Sequence, residues 1–176
     1  MTIGGDIILQ ARAISKSFPG VKALDSVDLT LRAGKLTALL GENGAGKSTL
    51  MKILAGVQPP DSGELVLQGD PVQLTSPRDA QNRGIAMIHQ ELSLVPDLTV
   101  AENIFLGREP LRIGKLIDYG KMNRDAAEWL KLLELDVLPT TTVGRLRVGQ
   151  QQLIEIARAL AGDVRVLIMD EPTSAI

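Results

Sequence analysis

Polar and apolar residues alternate from Ile7 to Lys16 and again over Val27-Asp28-Leu29-Thr30-Leu31, the period-two pattern of strands with one buried face. Ser17-Phe18-Pro19-Gly20 separates them as a turn, so an antiparallel β layer is expected at the N-terminal end. Ala33-Gly34-Lys35 then turns the chain into Leu36-Thr37-Ala38-Leu39-Leu40, whose apolar run predicts a buried strand. A glycine-rich loop follows, and beyond it Leu50, Ile53 and Leu54 recur at helical spacing. After the loop Gln58-Pro59-Pro60-Asp61-Ser62-Gly63, Glu64 to Gln68 reads as a short strand. Ser76-Pro77-Arg78-Asp79-Ala80 opens a helix, with Ser76 as N-cap and Pro77 at the first position. Gly84 to Gln90 is a buried strand ending in polar residues.

Beyond residue 92 the pattern becomes helical. Thr99 followed by Glu102 is a capping box. Met122 to Leu135 places Ala126, Trp129, Leu130 and Leu133 on one face, and Trp129 reads as a core residue. Val148 to Ala161 is a further helix, with Leu153, Ile156, Ala157 and Leu160 expected inward. Val164 to Met169 returns to a buried strand. The order describes an α/β chain, with 1–91 and 163–176 as a core and about 92–162 as a helical insert.

Composition narrows the class. A chain of 176 residues, 44% hydrophobic, can bury a real core. With so few aromatics that core must be aliphatic. A net charge of −2 and no Lys/Arg cluster argue against nucleic acid as a partner. The absence of cysteine excludes disulfides and thiolate metal sites, and suits a reducing compartment. The first residues lack the basic and apolar segments of a signal peptide, and no apolar run reaches the ~18 residues of a membrane span.

The chemistry concentrates in Gly41-Glu42-Asn43-Gly44-Ala45-Gly46-Lys47-Ser48-Thr49, which fits G-x-x-x-x-G-K-[ST]. Glycines let the backbone curl and turn its N–H groups toward a polyphosphate. Lys47 supplies a point charge for β- and γ-phosphates, and Ser48 a hydroxyl for Mg²⁺. The following helix directs its positive end at the same anion. A glycine-rich turn that binds nothing is the bland alternative; the flanking strand and helix patterns argue against it. Leu167-Ile168-Met169-Asp170-Glu171 is an apolar run closed by two acids. Beside a phosphate loop, Asp170 is placed to hold Mg²⁺ and Glu171 to polarise the attacking water. Taken alone, the pair could equally be two solvated acids at a strand end.

With these residues in place, the chain resembles the nucleotide-binding cassette of ABC transporters, over essentially its whole length. Gly41–Thr49 matches Walker A, and Val166–Glu171 matches Walker B with the catalytic glutamate. Gln90 falls at the Q-loop, which in the family contacts Mg²⁺ and the attacking water and couples to the permease. Leu146-Arg147-Val148-Gly149-Gln150 falls at the signature motif, which acts on ATP held by the opposite cassette. Phe18 falls at the aromatic that stacks on adenine; read without the resemblance, it is a turn aromatic. His89 is far from the family's switch histidine and reads as structural. Lys16–Leu24, Ile88–Leu92 and Val148–Ala157 resemble the first cassette of monosaccharide importers of the ribose/galactose/xylose type.

The resemblance implies an ATP-hydrolysing importer subunit at the cytoplasmic face of the inner membrane. Its cofactors are ATP and Mg²⁺. Its partners are permease subunits, a second cassette and, indirectly, a periplasmic sugar-binding protein. The chain departs from the family in two places. Arg147 stands where the signature carries serine, so weakened ATP sandwiching is expected. The sequence also stops at Ser174-Ala175-Ile176, after Walker B and before the switch histidine, so a C-terminally incomplete sheet with an uncovered edge is expected. A module that binds nucleotide without turning it over is the alternative reading. An ABC-type ATPase outside transport lacks support, since there is no basic arm or heptad pattern. A GTPase is unsupported, since there is no Asn-Lys-x-Asp motif.

Overall fold

The computed structural model describes residues 6–88 and 92–170. Among these, the residues up to Met87 together with Val164–Ile168 form one compact unit; Ile88 to Asp163 and the residues after Ile168 belong to a second.

The first unit begins with the expected antiparallel layer. Strands β1 (Ile7–Phe18) and β2 (Val21–Arg32) pair antiparallel, and β1 also pairs with β3 (Ser62–Leu67). A short edge strand β4 (Asp70–Val72), absent from the sequence pattern, completes the order β2-β1-β3-β4. Alternation in β1 breaks at Ala13, which takes a left-handed φ of 49° where the register shifts between Ala11 and Ile14. A bulge lets Leu9, Ala11 and Ile14 all bury although they are not evenly spaced.

Helix α1 (Lys47–Leu54) buries Leu50, Met51, Ile53 and Leu54. It ends in a Schellman motif: the Gly56 N–H donates to the Ile53 carbonyl and the Val57 N–H to the Lys52 carbonyl, with Gly56 at φ 70°. Helix α2 (Pro77–Asn82) starts as expected, the Ser76 hydroxyl accepting from the Asp79 N–H at 3.1 Å. Strands β5 (Ile85–Ile88) and β6 (Val166–Met169) form a second sheet. The N–H of Val166 donates to the Gly84 carbonyl and that of Asp170 to the Ile88 carbonyl; partners advance together along both strands, the parallel sense. The core of this unit is aliphatic, joining Leu9, Ile14, Ile53, Leu54, Leu65, Ile85, Val166 and Ile168.

The buried strand expected at Leu36–Leu40 is not formed. No described strand pairs with it, and Leu36 and Leu40 are 92% and 91% exposed, while Leu39 packs against the core. An apolar run becomes a strand only when a neighbour accepts its backbone hydrogen bonds, and among the described residues β5 and β6 satisfy each other instead.

The second unit is helical. Helix α3 (Val100–Phe105) carries the complete capping box: Glu102 N–H to Thr99 Oγ1 at 3.2 Å and Thr99 N–H to Glu102 Oε2 at 2.8 Å. Helix α4 (Tyr119–Leu132) is capped by Asp118, whose carboxylate accepts from the Lys121 N–H and from Arg112. The Arg112 guanidinium and that N–H hold the Asp118 carboxyl down at about 2. The helix stops before the expected Leu135. Glu134 adopts φ 52°, and the N–H groups of Glu134 and Leu135 close on the Lys131 and Leu130 carbonyls. This is a Schellman end without glycine, so the sequence carries no stop signal there. Trp129 is half-buried against a core of Val100, Ile104, Met122, Ala126, Leu130, Ile154 and Ala157.

Helix α5 (Val148–Leu160) corrects another expectation. Ile154, Glu155 and Ala157 are buried, whereas Leu153, Ile156 and Leu160 are only half-buried. The burial is turned toward Glu155 because that carboxylate has partners: its Oε1 accepts from both the N–H and the hydroxyl of Ser93 at 2.7 Å. Among the described residues, no helix is long and apolar enough to cross a membrane.

Candidate functional site

The loop Gly41–Gly46 leads into the first turn of α1, whose leading N–H groups have no partner within the helix. Gly46 is the N-cap, at φ 83° and without any side-chain cap. A Cβ there would run into the carbonyl oxygen of Ala23 and lie 2.8 Å from Leu24 Cδ2. Gly46 is therefore required twice, by its left-handed backbone and by this close approach of β2. Gly44 shares the conformation, at φ 85°, but faces open space. At Gly41, a Cβ would meet the Ala45 methyl at 3.3 Å and Lys47 Cδ at 3.9 Å, both side-chain atoms.

Lys47 turns back over the loop. Its ammonium donates to the carbonyl oxygens of Gly41 at 2.7 Å and Glu42 at 2.8 Å. The charge is thus held above the backbone that curls round it. Glu42, Asn43, Gly44, Ala45 and Ser48 are exposed and Thr49 is half-buried. The arrangement is a concave run of backbone with a cation at its centre and a helix N-terminus beneath, which suits a polyphosphate.

The Gly46–Ala23 approach also brings the β1–β2 turn to the same place. Phe18 pairs with Val21 across that turn and is 43% exposed, free to offer a ring face. The phosphate loop and the expected adenine-stacking aromatic therefore belong to one unit.

The signature residues lie in the helical unit. Arg147 is the N-cap of α5, and its N–H donates to Gln150 Oε1 at 3.0 Å. The Arg147 side chain is exposed. It has no acceptor with which to cap the helix and adds positive charge to the positive end of the helix dipole. Gln151 reaches back to the carbonyls of Val143 and Leu146, at 3.2 and 3.0 Å. Val148 is exposed and Gly149 half-buried at the start of the helix. Asp170 directly follows β6, its N–H bonded to the Ile88 carbonyl. Gln90, Glu171, His89 and the Ser174-Ala175 segment lie outside the described residues. Sequence reasoning passed over Asp61, Asn103 and Glu155; residue type alone does not announce that Asp61 accepts from Ser17, Asn103 from Val95 and Glu155 from Ser93.

A phosphate loop leading into a helix, below an antiparallel layer and accompanied by a helical unit, defines a P-loop nucleoside triphosphatase cassette. The chain belongs to the ABC transporter family, which matches residues 24–174. It is 79% identical, over all of its 176 residues, to the ribose import ATP-binding protein RbsA of Rhodopirellula baltica, and covers 34% of that protein. It thus spans about a third of the length of the curated relatives it matches. Among solved structures it resembles an ATP-binding cassette of an ABC transporter in its ADP conformation, with TM-score 0.83 and 29% identity over 97% of this chain and 70% of that one. It also resembles a dimeric cassette in a post-hydrolysis state bound to ADP and Pi, with TM-score 0.77 and 26% identity over 96% and 76% of the two chains.

Proposed function

We propose that this chain is the ATP-binding region of the ATP-hydrolysing subunit of a monosaccharide importer. The observation that carries the reading is the loop itself: Gly46 wedged against Ala23 with no room for a side chain, and Lys47 folded over the Gly41 and Glu42 carbonyls. The likeness to a ribose import protein supports the substrate class.

In this reading residues 41–49 wrap the phosphates, and Lys47 moves from the loop carbonyls to the β- and γ-phosphate oxygens. Phe18 stacks on the adenine. Ser48, Gln90 and Asp170 offer hydroxyl, amide and carboxylate oxygens, the hard donor set that Mg²⁺ takes, and Ser48 lies exposed in the first turn of α1. Bound there, the ion neutralises phosphate charge. Glu171 accepts the proton of the attacking water. Residues 1–91 and 163–176 act as the ATP-binding core and about 92–162 as the helical subdomain. Leu146, Arg147, Val148, Gly149 and Gln150 complete the site of a second cassette. The Gln90 segment and helical subdomain transmit closure to permease subunits on the cytoplasmic side of the inner membrane, and a periplasmic sugar-binding protein delivers the substrate. Titrating the chain with ATP and measuring phosphate release tests this. Absence of ATP binding refutes it, and binding without release selects the second reading, a nucleotide-holding module.

That second reading draws on Arg147. A serine hydroxyl at this position could donate to a phosphate across the dimer; Arg147 places a long, exposed cation there instead. Reverting Arg147→Ser in a complete cassette is expected to raise phosphate release about tenfold, the value of one hydrogen bond to a charged group. An unchanged rate would sink the idea that Arg147 impairs the site.

A further inference from the structure

Phe18 sits at the end of a strand whose pairing is irregular over the residues that precede it. The β1–β2 register shifts between Ile14 and Lys16 and again between Lys16 and Ser17. The last two pairs, Ser17 with Lys22 and Phe18 with Val21, are regular, so the aromatic sits just beyond an irregular stretch of the ladder. Asp61, immediately before β3, holds the same residues from the opposite edge of β1. Its Oδ2 accepts the Ser17 N–H at 2.7 Å, and its Oδ1 accepts the Lys16 ammonium at 2.7 Å. Its own N–H donates to the Ser15 carbonyl at 2.9 Å. Three consecutive residues before Phe18 are thus tied to one side chain and its backbone. On the other side of the turn, Ala23 abuts Gly46.

We propose that Asp61 is a positioning residue for base recognition: it holds the last residues of β1, where the register shifts end, so that the Phe18 ring meets the adenine of a nucleotide bound on the phosphate loop. The proposal rests on the reading of Phe18 as the stacking aromatic. The Lys16 ammonium and the Ser17 N–H hold the Asp61 carboxyl below the ordinary carboxylate range, so the clamp stays ionised at neutral pH. A β-bulge that aims a side chain beside a binding loop is a recurrent use of such irregularity. If Asp61 merely tied β3 to β1, its loss would weaken every ligand of the loop alike. If it aims Phe18, only ligands with a base should notice.

The test uses the full chain with Mg²⁺ and compares ATP with tripolyphosphate, which has the phosphates and no base. Phe18→Ala is expected to weaken ATP by about tenfold, within the range for loss of one base–aromatic stack, and to leave tripolyphosphate unchanged. Asp61→Ala should weaken ATP by about three- to tenfold with tripolyphosphate again unchanged. The double variant should be no weaker than Phe18→Ala, since the two act in series. Asp61→Asn keeps the size and one acceptor and should fall between wild type and Asp61→Ala. Equal losses for ATP and tripolyphosphate in both Asp61 variants, or additive losses in the double variant, overturn the proposal and leave the Phe18 reading standing. No loss of ATP affinity in Phe18→Ala overturns both.

Discussion

Gly46→Ala is expected to abolish tight ATP binding, whereas Gly44→Ala, two residues earlier on the same loop, is expected to weaken it only slightly. Both glycines hold a left-handed backbone, at φ 83° and 85°, which costs a side-chain-bearing residue about 1–2 kcal/mol. The space around them differs. At Gly44 nothing lies within 4 Å of an added Cβ, so strain is the whole cost. At Gly46 the methyl group meets the Ala23 carbonyl oxygen and Leu24, backbone and core side chain that cannot swing aside. Overpacking of this kind adds about 1–3 kcal/mol. The chain relieves it by pushing the loop off β2, which separates the Lys47 ammonium from the geometry that gathers phosphates. Calorimetric titration with ATP and thermal melting of both variants check this. Equal effects at the two positions would show that backbone strain alone governs the loop.

Asn103→Ala should lower the stability of the helical unit by about 3 kcal/mol, the largest effect expected from one polar side chain here. Asn103 is fully buried at 0% exposure. Its Oδ1 accepts the Val95 N–H at 2.8 Å, and its Nδ2 donates to the carbonyls of Val95, Leu98 and Thr99. One amide group thereby stitches the segment ahead of α3 to the helix. Alanine leaves the Val95 N–H without this acceptor and opens a small cavity. At roughly 2–4 °C per kcal/mol, the midpoint should drop by about 10 °C. Asn103→Asp should be worse, since it keeps the acceptor, loses both amide donors and faces three carbonyls with a carboxylate. Trp129 is the only tryptophan and packs on this core, so its fluorescence reports the transition directly. A midpoint within 2 °C of wild type by that probe would refute the estimate.

Much of what makes this chain a cassette is local and therefore legible in the sequence. The phosphate loop depends on residue types within nine positions, because a backbone curl, a lysine and a helix start all belong to one short stretch. The Ser76 cap and the Thr99–Glu102 box were equally readable, each closing over three residues. The antiparallel start was carried by alternation in β1 and β2. Where local signals were weak, the reading slipped. Helix α4 ends at Leu132, with Glu134 taking the left-handed position where a glycine usually marks such an end, and α5 turns Glu155 inward in place of an all-aliphatic face.

Other features were settled only in three dimensions. Whether Leu36–Leu40 becomes a strand depends on a partner for its backbone, and apolar composition says nothing about that partner. Asp61 and Ser17 are 44 positions apart, and Ser93 and Glu155 are 62 apart, so no window of sequence contains either pair. The sequence alone determined that the chain carries a phosphate loop, since that chemistry resides in one contiguous peptide. The tertiary structure decided what lies against that loop, from Ala23 pressing on Gly46 to Asp61 holding the strand that ends in Phe18. Those contacts join distant segments, and only packing brings such segments within hydrogen-bonding and van der Waals reach.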